Sequence, residues 1–321
     1  MPLDPKARRF LDTLAAMNPP SALSLSVEER RAALAHLLSF AGEPEPVAAV
    51  DEFELPGPQG PLAVRAYTPA GTQRRERLPG MVYFHGGGLV AGSLDTHDPI
   101  CRSLSNASVC RVLSVDYRLA PEHRFPAAVA DGCAATEWIA AHADELHLDR
   151  ERLGVSGDSA GATLAAVVSH TLTAARQIPL AFQFLLCPIM DFAAESESRR
   201  SFAAGYLVDR DTLEHDLKHY LVSGSDRGDP RVSPLRATDV SQLPPTAVHT
   251  AEFDPLRDEG QAYAERLQHT GVRTLYRCHP GMIHLFYGLR GLITYAGVAF
   301  AQMGADIRGL LAPAQPGGGT R

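Results

Sequence analysis

Leu153-Gly154-Val155-Ser156-Gly157-Asp158-Ser159-Ala160-Gly161-Ala162-Thr163-Leu164 is the stretch on which the fold of this chain turns. Leu153 to Val155 reads as a short buried strand, and Ala160 to Arg176 as a helix. Between them the pattern Gly-x-Ser-x-Gly spans a sharp reversal. The residues two before and two after the serine must lack bulk there, and glycine also tolerates strained dihedrals. The serine then projects into the crevice at the carboxyl end of its strand, where ligands bind in open α/β sheets. Its backbone lies at a helix N-terminus, whose free N–H groups favour negative charge. The five-letter pattern alone arises often by chance. Strand, turn and helix in this order make it a nucleophile elbow.

The same architecture continues on either side. Met81–Phe84, Arg111–Val115, Phe182–Leu186, Ala247–Thr250 and Thr274–Tyr276 are short apolar runs that read as buried strands. Helical patterns at Ile100–Ala107, Pro126–His142 and Asp258–Thr270 separate most of them. Near-continuous apolar strands alternating with helices predict an α/β fold, a mostly parallel sheet covered on both faces. Val47–Leu55 and Leu62–Tyr67 alternate instead, which predicts a hairpin. Ahead of them two helices are expected, Pro5–Met17 and Arg30–Phe40, the second preceded by a capping box at Ser26-Val27-Glu28-Glu29. Asp191–Arg236 breaks the alternation, with one helix expected at Asp211–Leu221, and reads as part of a lid. The division expected is residues 1–45 as the N-terminal part of a cap, 46–190 and 237–312 as the catalytic core, 191–236 as a second cap segment, and 313–321 as a disordered tail.

Composition closes off other classes. The 321 residues are 45% hydrophobic and 21% charged, an ordinary globular balance. With 30 Lys+Arg against 37 Asp+Glu the net charge is −7, which argues against a nucleic-acid partner. No run approaches the roughly 18 apolar residues of a membrane span. The N-terminus shows no apolar core with a cleavage site, so no secretory signal is expected. Cys101, Cys110, Cys133, Cys187 and Cys278 are odd in number and form no C-x-x-C pair; reduced thiols in a cytoplasmic protein are expected. A homodimer paired through an edge strand near Thr274–Tyr276 is allowed but not demanded.

His85-Gly86-Gly87-Gly88 follows directly on the strand Met81–Phe84. Consecutive glycines let the backbone approach a ligand and turn N–H groups toward it, and such a loop supplies oxyanion donors in lipases and esterases. A phosphate-cradling loop is the alternative, but no basic P-loop follows. The donors expected are the N–H groups of Gly86, Gly87 and Ala160, without a decision as to which turn inward. A serine needs a base, and the chain order for this arrangement is serine, acid, histidine. His279 and His284 both follow the strand ending near Tyr276, where a loop can carry an imidazole to the serine. His170 lies behind the elbow, and His215 and His219, at i, i+4 on a presumed cap helix, could bind a metal but read better as a solvated pair. For the acid, Asp254 stands at the carboxyl end of the strand Ala247–Thr250, with Pro255 fixing the turn. Glu252 is its rival, and Asp258 and Glu259 suit the first turn of the next helix.

Taken together, His85-Gly86-Gly87-Gly88, Asp116-Tyr117-Arg118-Leu119-Ala120-Pro121-Glu122, Gly157-Asp158-Ser159-Ala160-Gly161, Asp254-Pro255-Leu256-Arg257-Asp258-Glu259 and Gly281-Met282-Ile283-His284 resemble the hormone-sensitive-lipase-like esterases. These are the bacterial family IV carboxylesterases of the α/β-hydrolase superfamily. The blocks run from about residue 80 to 290. The resemblance implies an eight-stranded, mainly parallel sheet with a helical cap, the triad Ser159, Asp254 and His284, and hydrolysis of short- to medium-chain acyl esters. Acyl transfer through such a triad needs no metal and no organic cofactor, and none is expected. Two positions depart from the pattern: Leu89 where the family often has an aromatic, and Leu285 where it often has glycine. Leu285 is expected to narrow the pocket beside His284, and Leu89, Leu207 and Val208 to line it. In the Tyr117–Glu122 block, Arg118 and Glu122 are expected to pair and shape the loop, Asp158 to brace the elbow, and Trp138 to be core. The same triad would serve an amidase, deacetylase or acyltransferase. A ligand receptor that has lost catalysis would normally lack one of its members.

Overall fold

In the computed structural model, which describes residues 1–176, 178–222 and 226–312, the alternating runs form the expected antiparallel hairpin, β1 (Ala49–Gly57) and β2 (Gly60–Thr68). The apolar runs become β3 (Leu78–Phe84), β4 (Arg111–Val115), β5 (Leu148–Asp158), β6 (Phe182–Leu186), β7 (Thr246–Phe253) and β8 (Thr274–Ile283). They make one eight-stranded sheet in the order β1-β2-β4-β3-β5-β6-β7-β8. β1 and β2 are antiparallel additions, and from β4 to β8 every pairing is parallel. β8 is an edge strand.

The helices are α1 (Pro5–Ala16), α2 (Val27–Leu38), α3 (Asp98–Ser108), α4 (Ala127–Ala141), α5 (Ala160–Ala174), α6 (Glu197–Ser201), α7 (Arg210–Tyr220), α8 (Arg257–His269) and α9 (Tyr295–Leu311). α3 and α9 pack together on one face of the sheet; α4, α5 and α8 cover the other. Every residue of β4 and β6 is buried, which is why their sequences carry no polar alternation. Successive residues of β3 feed opposite cores. Met81 and Tyr83 belong to the same core as Ile100 and Met303, whereas Val82 and Phe84 join that of Val155, Val168 and Leu185.

Two strands outrun their sequence signal. β5 starts at Leu148, where polar Asp149–Arg152 hides it, and pairs with β3 across a register shift at Pro79/Gly80. β8 continues through Pro280 and Gly281 to Ile283, with an irregularity between Ala251 and Phe253 of β7. Among the described residues, the excursion at 191–236 holds two α-helices, α6 and α7, where one was expected, and α9 carries no separate expectation. The tail 313–321 lies outside the described residues. Among the described residues, no helix is long and apolar enough to cross a membrane.

The N-terminal helices and α7 lie over the carboxyl end of the sheet. Ser26 and Glu29 close the capping box of α2. Arg31 of α2 then reaches down to the carbonyls of Val90 and Ala120 and to the Glu122 carboxylate. Glu122 therefore pairs with Arg31, not with Arg118. Arg118 takes the buried Asp131 instead, with bonds of 2.8 and 2.6 Å. α4 brings Asp131 directly beneath the loop, a long-range contact that local spacing does not encode. α7 is tied to the same region by Phe125, whose N–H donates to the Tyr220 carbonyl.

Candidate active site

Ser159 sits at the join of β5 and α5 with φ 53° and ψ −125°, the strained backbone of a sharp elbow. The flanking glycines are there for space. A Cβ on Gly157 would lie 2.4 Å from the backbone of Gly161, and one on Gly161 would lie 2.1 Å from the Phe84 carbonyl oxygen. The elbow can form only because both positions are bare. The Ser159 N–H donates to the Leu186 carbonyl, which ties the turn to β6.

His284 follows β8, and its Nε2 stands 3.1 Å from Ser159 Oγ. Its Nδ1 lies 2.7 Å from Asp254 Oδ2. Asp254 follows β7 and is fully buried; its other oxygen accepts the Leu256 N–H at 2.8 Å. Parallel strands place all three side chains at one end of the sheet, so residues far apart in the chain converge. His279 goes elsewhere, to a buried network with His249 and Tyr295. Burial, with His249 beside it, pushes its imidazole down to about 3. Glu252 is held by the N-terminal amine and the Gly281 N–H, away from His284. Asp258 accepts the Ser198 N–H and Glu259 pairs with Arg199, both structural contacts. His170 bonds Tyr263 behind the elbow.

The glycine loop corrects one expectation. The Gly86 N–H is already spent on Asp158 Oδ1 at 2.8 Å, so it cannot receive an oxyanion. Gly87 and Gly88 instead border the same cavity as Ser159 and His284. The Gly87 φ of 119° suits glycine alone, and the Gly88 φ of 69° lies in the left-handed region that favours glycine. With Ala160, at the first position of α5, they offer N–H groups with no acceptor among the described residues. Gly88 had no separate signal in the sequence; three identical glycines differ only in where the fold turns them.

Asp158 braces this region, as expected. It accepts the hydroxyls of Tyr83 at 2.5 Å and Tyr287 at 3.1 Å as well as the Gly86 N–H. Burial works to raise its pKa, but His97 and the Tyr83 hydrogen bond outweigh that and hold it below the usual carboxylate range. His85 is fully buried, stacked 4.5 Å from the Tyr117 ring, and pushed by burial down to about 3. It is a neutral packing ring, and the Tyr117 hydroxyl fixes its carbonyl at 2.6 Å.

Among the described residues, one cluster has metal-ligand residue types: Cys187, Asp254 and His284, whose ligand atoms lie within 4.8 Å of one another. Burial, with Asp254 nearby, pushes the Cys187 thiol well above its ordinary value. It is kept protonated and is a poor ligand. Both ring nitrogens of His284 are already engaged.

The site opens into a cavity of about 760 Å³ roofed by α1, α2 and α7. Its wall is mostly apolar, with Phe10, Leu34, Leu213 and Leu217 among the lining residues. Leu207, Val208 and Leu285 line it as expected; Leu89 does not. Leu89 has φ 63° and packs into the core, where its carbonyl accepts the Ala120 N–H. His215 is also not solvated. The N-terminal segment covers it, with its Nε2 3.2 Å from the Leu25 carbonyl and its Nδ1 3.0 Å from Asp216. Trp138 is half-buried, stacked on His142.

Residues 81–288 match the family described as alpha/beta hydrolase fold. An arylesterase of Saccharolobus solfataricus is 37% identical over 289 residues, covering 90% of this chain and 93% of that one. Among solved structures, an ester-hydrolase from the metagenome of Lake Arreo, complexed with a derivative of bipyridine phosphonate, superposes with TM-score 0.92 at 39% identity, covering 96% of this chain and 99% of that one. A hyperthermophilic esterase from the archaeon Pyrobaculum calidifontis gives 0.90 at 38% identity, covering 97% and 99%.

Proposed function

The chain belongs to the α/β-hydrolase family, in its hormone-sensitive-lipase-like branch, and from that footing we propose that it is a serine carboxylesterase acting on short- to medium-chain acyl esters. The observation that carries the reading is the unbroken line Asp254–His284–Ser159, with bonds of 2.7 and 3.1 Å, opening onto an apolar cavity.

In the proposed reaction, His284 Nε2 takes the proton of Ser159 Oγ as the oxygen attacks the ester carbonyl. Asp254 keeps the proton on Nδ1 and stabilises the imidazolium. The N–H groups of Gly87, Gly88 and Ala160 receive the oxyanion of the tetrahedral intermediate, each worth about 2.7–4 kcal/mol of barrier in comparable sites. The intermediate collapses, the alcohol departs with the proton from His284, and the acyl group stays on Ser159. Water, deprotonated by His284, then releases the acid and restores the serine.

We assign residues 1–45 and 191–236 to a cap that sets substrate choice, because these two segments, α1, α2 and α7 among them, supply most of the residues that line the cavity. A cavity of about 760 Å³ falls within the usual range for a small-molecule ligand. All five cysteines are free, which supports placing the enzyme in a reducing compartment such as the cytoplasm.

The test is a fluorophosphonate label followed by a panel of p-nitrophenyl esters. The label should map to Ser159 and vanish in Ser159→Ala. Acetate to octanoate should be preferred over palmitate. No labelling of the wild type, or a preference for palmitate, would overturn the assignment.

A further inference from the structure

Two charged side chains meet inside the largely apolar cavity. Asp216 of α7 presents its carboxylate to the glycine loop, so near that a Cβ on Gly88 would stand 1.9 Å from Asp216 Oδ2. Arg30 of α2 grips the same carboxylate with two bonds, Nε to Oδ1 at 3.1 Å and Nη2 to Oδ2 at 2.8 Å. The side chains are only 12% and 7% exposed. Both residues border the cavity together with Gly87, Gly88, Ser159 and His284.

This is an awkward place for a carboxylate. Ester hydrolysis, as proposed above, builds negative charge on an oxygen held by the Gly88 N–H. A bare carboxylate against Gly88 would repel that charge, and in a closed apolar site the repulsion is only weakly screened. Arg30 cancels it. The planar guanidinium is always charged and fits a carboxylate with two parallel bonds. It arrives on α2, whereas the carboxylate arrives on α7 with His215 Nδ1 3.0 Å from it, so the guanidinium meets its carboxylate only when both halves of the roof are in place.

We propose that Arg30 is a positioning residue of the esterase reaction: by neutralising Asp216 beside Gly88 it keeps the oxyanion hole attractive, and it makes the hole depend on a closed roof. This inference rests on the serine-esterase reading. Sequence could not suggest it, because Arg30 and Asp216 are 186 residues apart and each sits on an ordinary charged helix.

The experiment compares Arg30→Met, Asp216→Asn and the double variant. It measures kcat and KM on p-nitrophenyl butyrate, inhibition by an alkyl boronic acid, which forms an anionic tetrahedral adduct on the serine, and the melting temperature. Arg30→Met should lower kcat by about 10–100-fold with a smaller change in KM, and weaken the boronic acid in step. Asp216→Asn should cost less. The double variant, which has lost the ion pair but also the stray carboxylate, should recover most of kcat. Arg30→Gln keeps the test open should Arg30→Met fail to fold, since it must lose kcat while its melting temperature holds. A purely structural pair gives the opposite pattern, with the double variant as slow as Arg30→Met, and that result overturns the proposal. So does an Arg30→Met or Arg30→Gln enzyme with unchanged kcat. Wild type that neither cleaves the ester nor binds the boronic acid sinks the esterase reading instead.

Discussion

The α-carbon of Gly161 is pressed so closely against the end of β3 that an added methyl would lie 2.1 Å from the Phe84 carbonyl oxygen. The neighbour is backbone, which cannot rotate away. The contact sets how near α5 sits to the sheet, and therefore where Ser159 points.

Gly161→Ala should accordingly be overpacked and lose at least about 1–3 kcal/mol of stability, or fail to fold. Gly309→Ala is the matched control. Gly309 lies on the exposed side of α9, a Cβ there meets nothing within 4 Å, and the change should add up to about 1 kcal/mol. Urea unfolding of both variants checks the pair; equal effects would refute the packing account.

Ser159→Ala and His284→Ala should each reduce kcat on a p-nitrophenyl ester by about a million-fold, and the two together by little more, because the residues act as a unit. Asp254→Asn should cost about ten-thousand-fold by favouring the wrong tautomer. Circular dichroism should show all of them folded. Additive losses in the Ser159/His284 double variant would mean that the serine and histidine act separately.

Acid should destabilise the enzyme through its buried histidines. Burial pushes His85 down to about 3, His279 to about 3 and His170 to about 4, from 6.5 in an unfolded chain. The unfolded chain thus binds protons that the folded chain refuses. Their contribution to stability is complete above about pH 6.5 and is lost as pH falls toward 3–4. Glu259, which burial raises to about 7, works in the opposite sense over part of that window, as does Asp116, also raised by burial, while burial lowers His249 as it does the other three rings. The melting temperature should therefore drop between about pH 7 and pH 5, with net proton uptake on unfolding. A flat profile would show these rings to be protonated in the fold.

Leu285 borders the cavity beside His284 with φ 60°, an uncommon conformation for a side chain of its size. Leu285→Gly should relieve the backbone and widen the pocket, raising kcat/KM for octanoate relative to butyrate. An unchanged ratio would remove Leu285 from the acyl-binding wall.

What could be read in advance divides by sequence distance. The elbow was legible because strand, turn and helix are contiguous and the glycine spacing has one steric cause. The sheet was legible because buried parallel strands carry unbroken apolar runs. Pairings set by distant elements were not. Arg118 and Glu122 looked like natural partners four residues apart, yet α4 delivers Asp131 to one and α2 delivers Arg31 to the other. His215 looked exposed until the N-terminal segment was seen to cover it. Gly86 and Gly88 are equivalent as letters, and only the carboxylate of Asp158 decides which N–H is left for chemistry.

That carboxylate has a wider effect. Asp158 adjoins the nucleophile in the chain, holds the glycine loop through Gly86, and grips Tyr287, three residues beyond His284. Attacking group, charge receiver and proton carrier are thus hung from a single peg. New substrates can be explored by rewriting the roof, residue by residue, while the machinery below keeps its alignment; a change at the peg would put all three out of true at once.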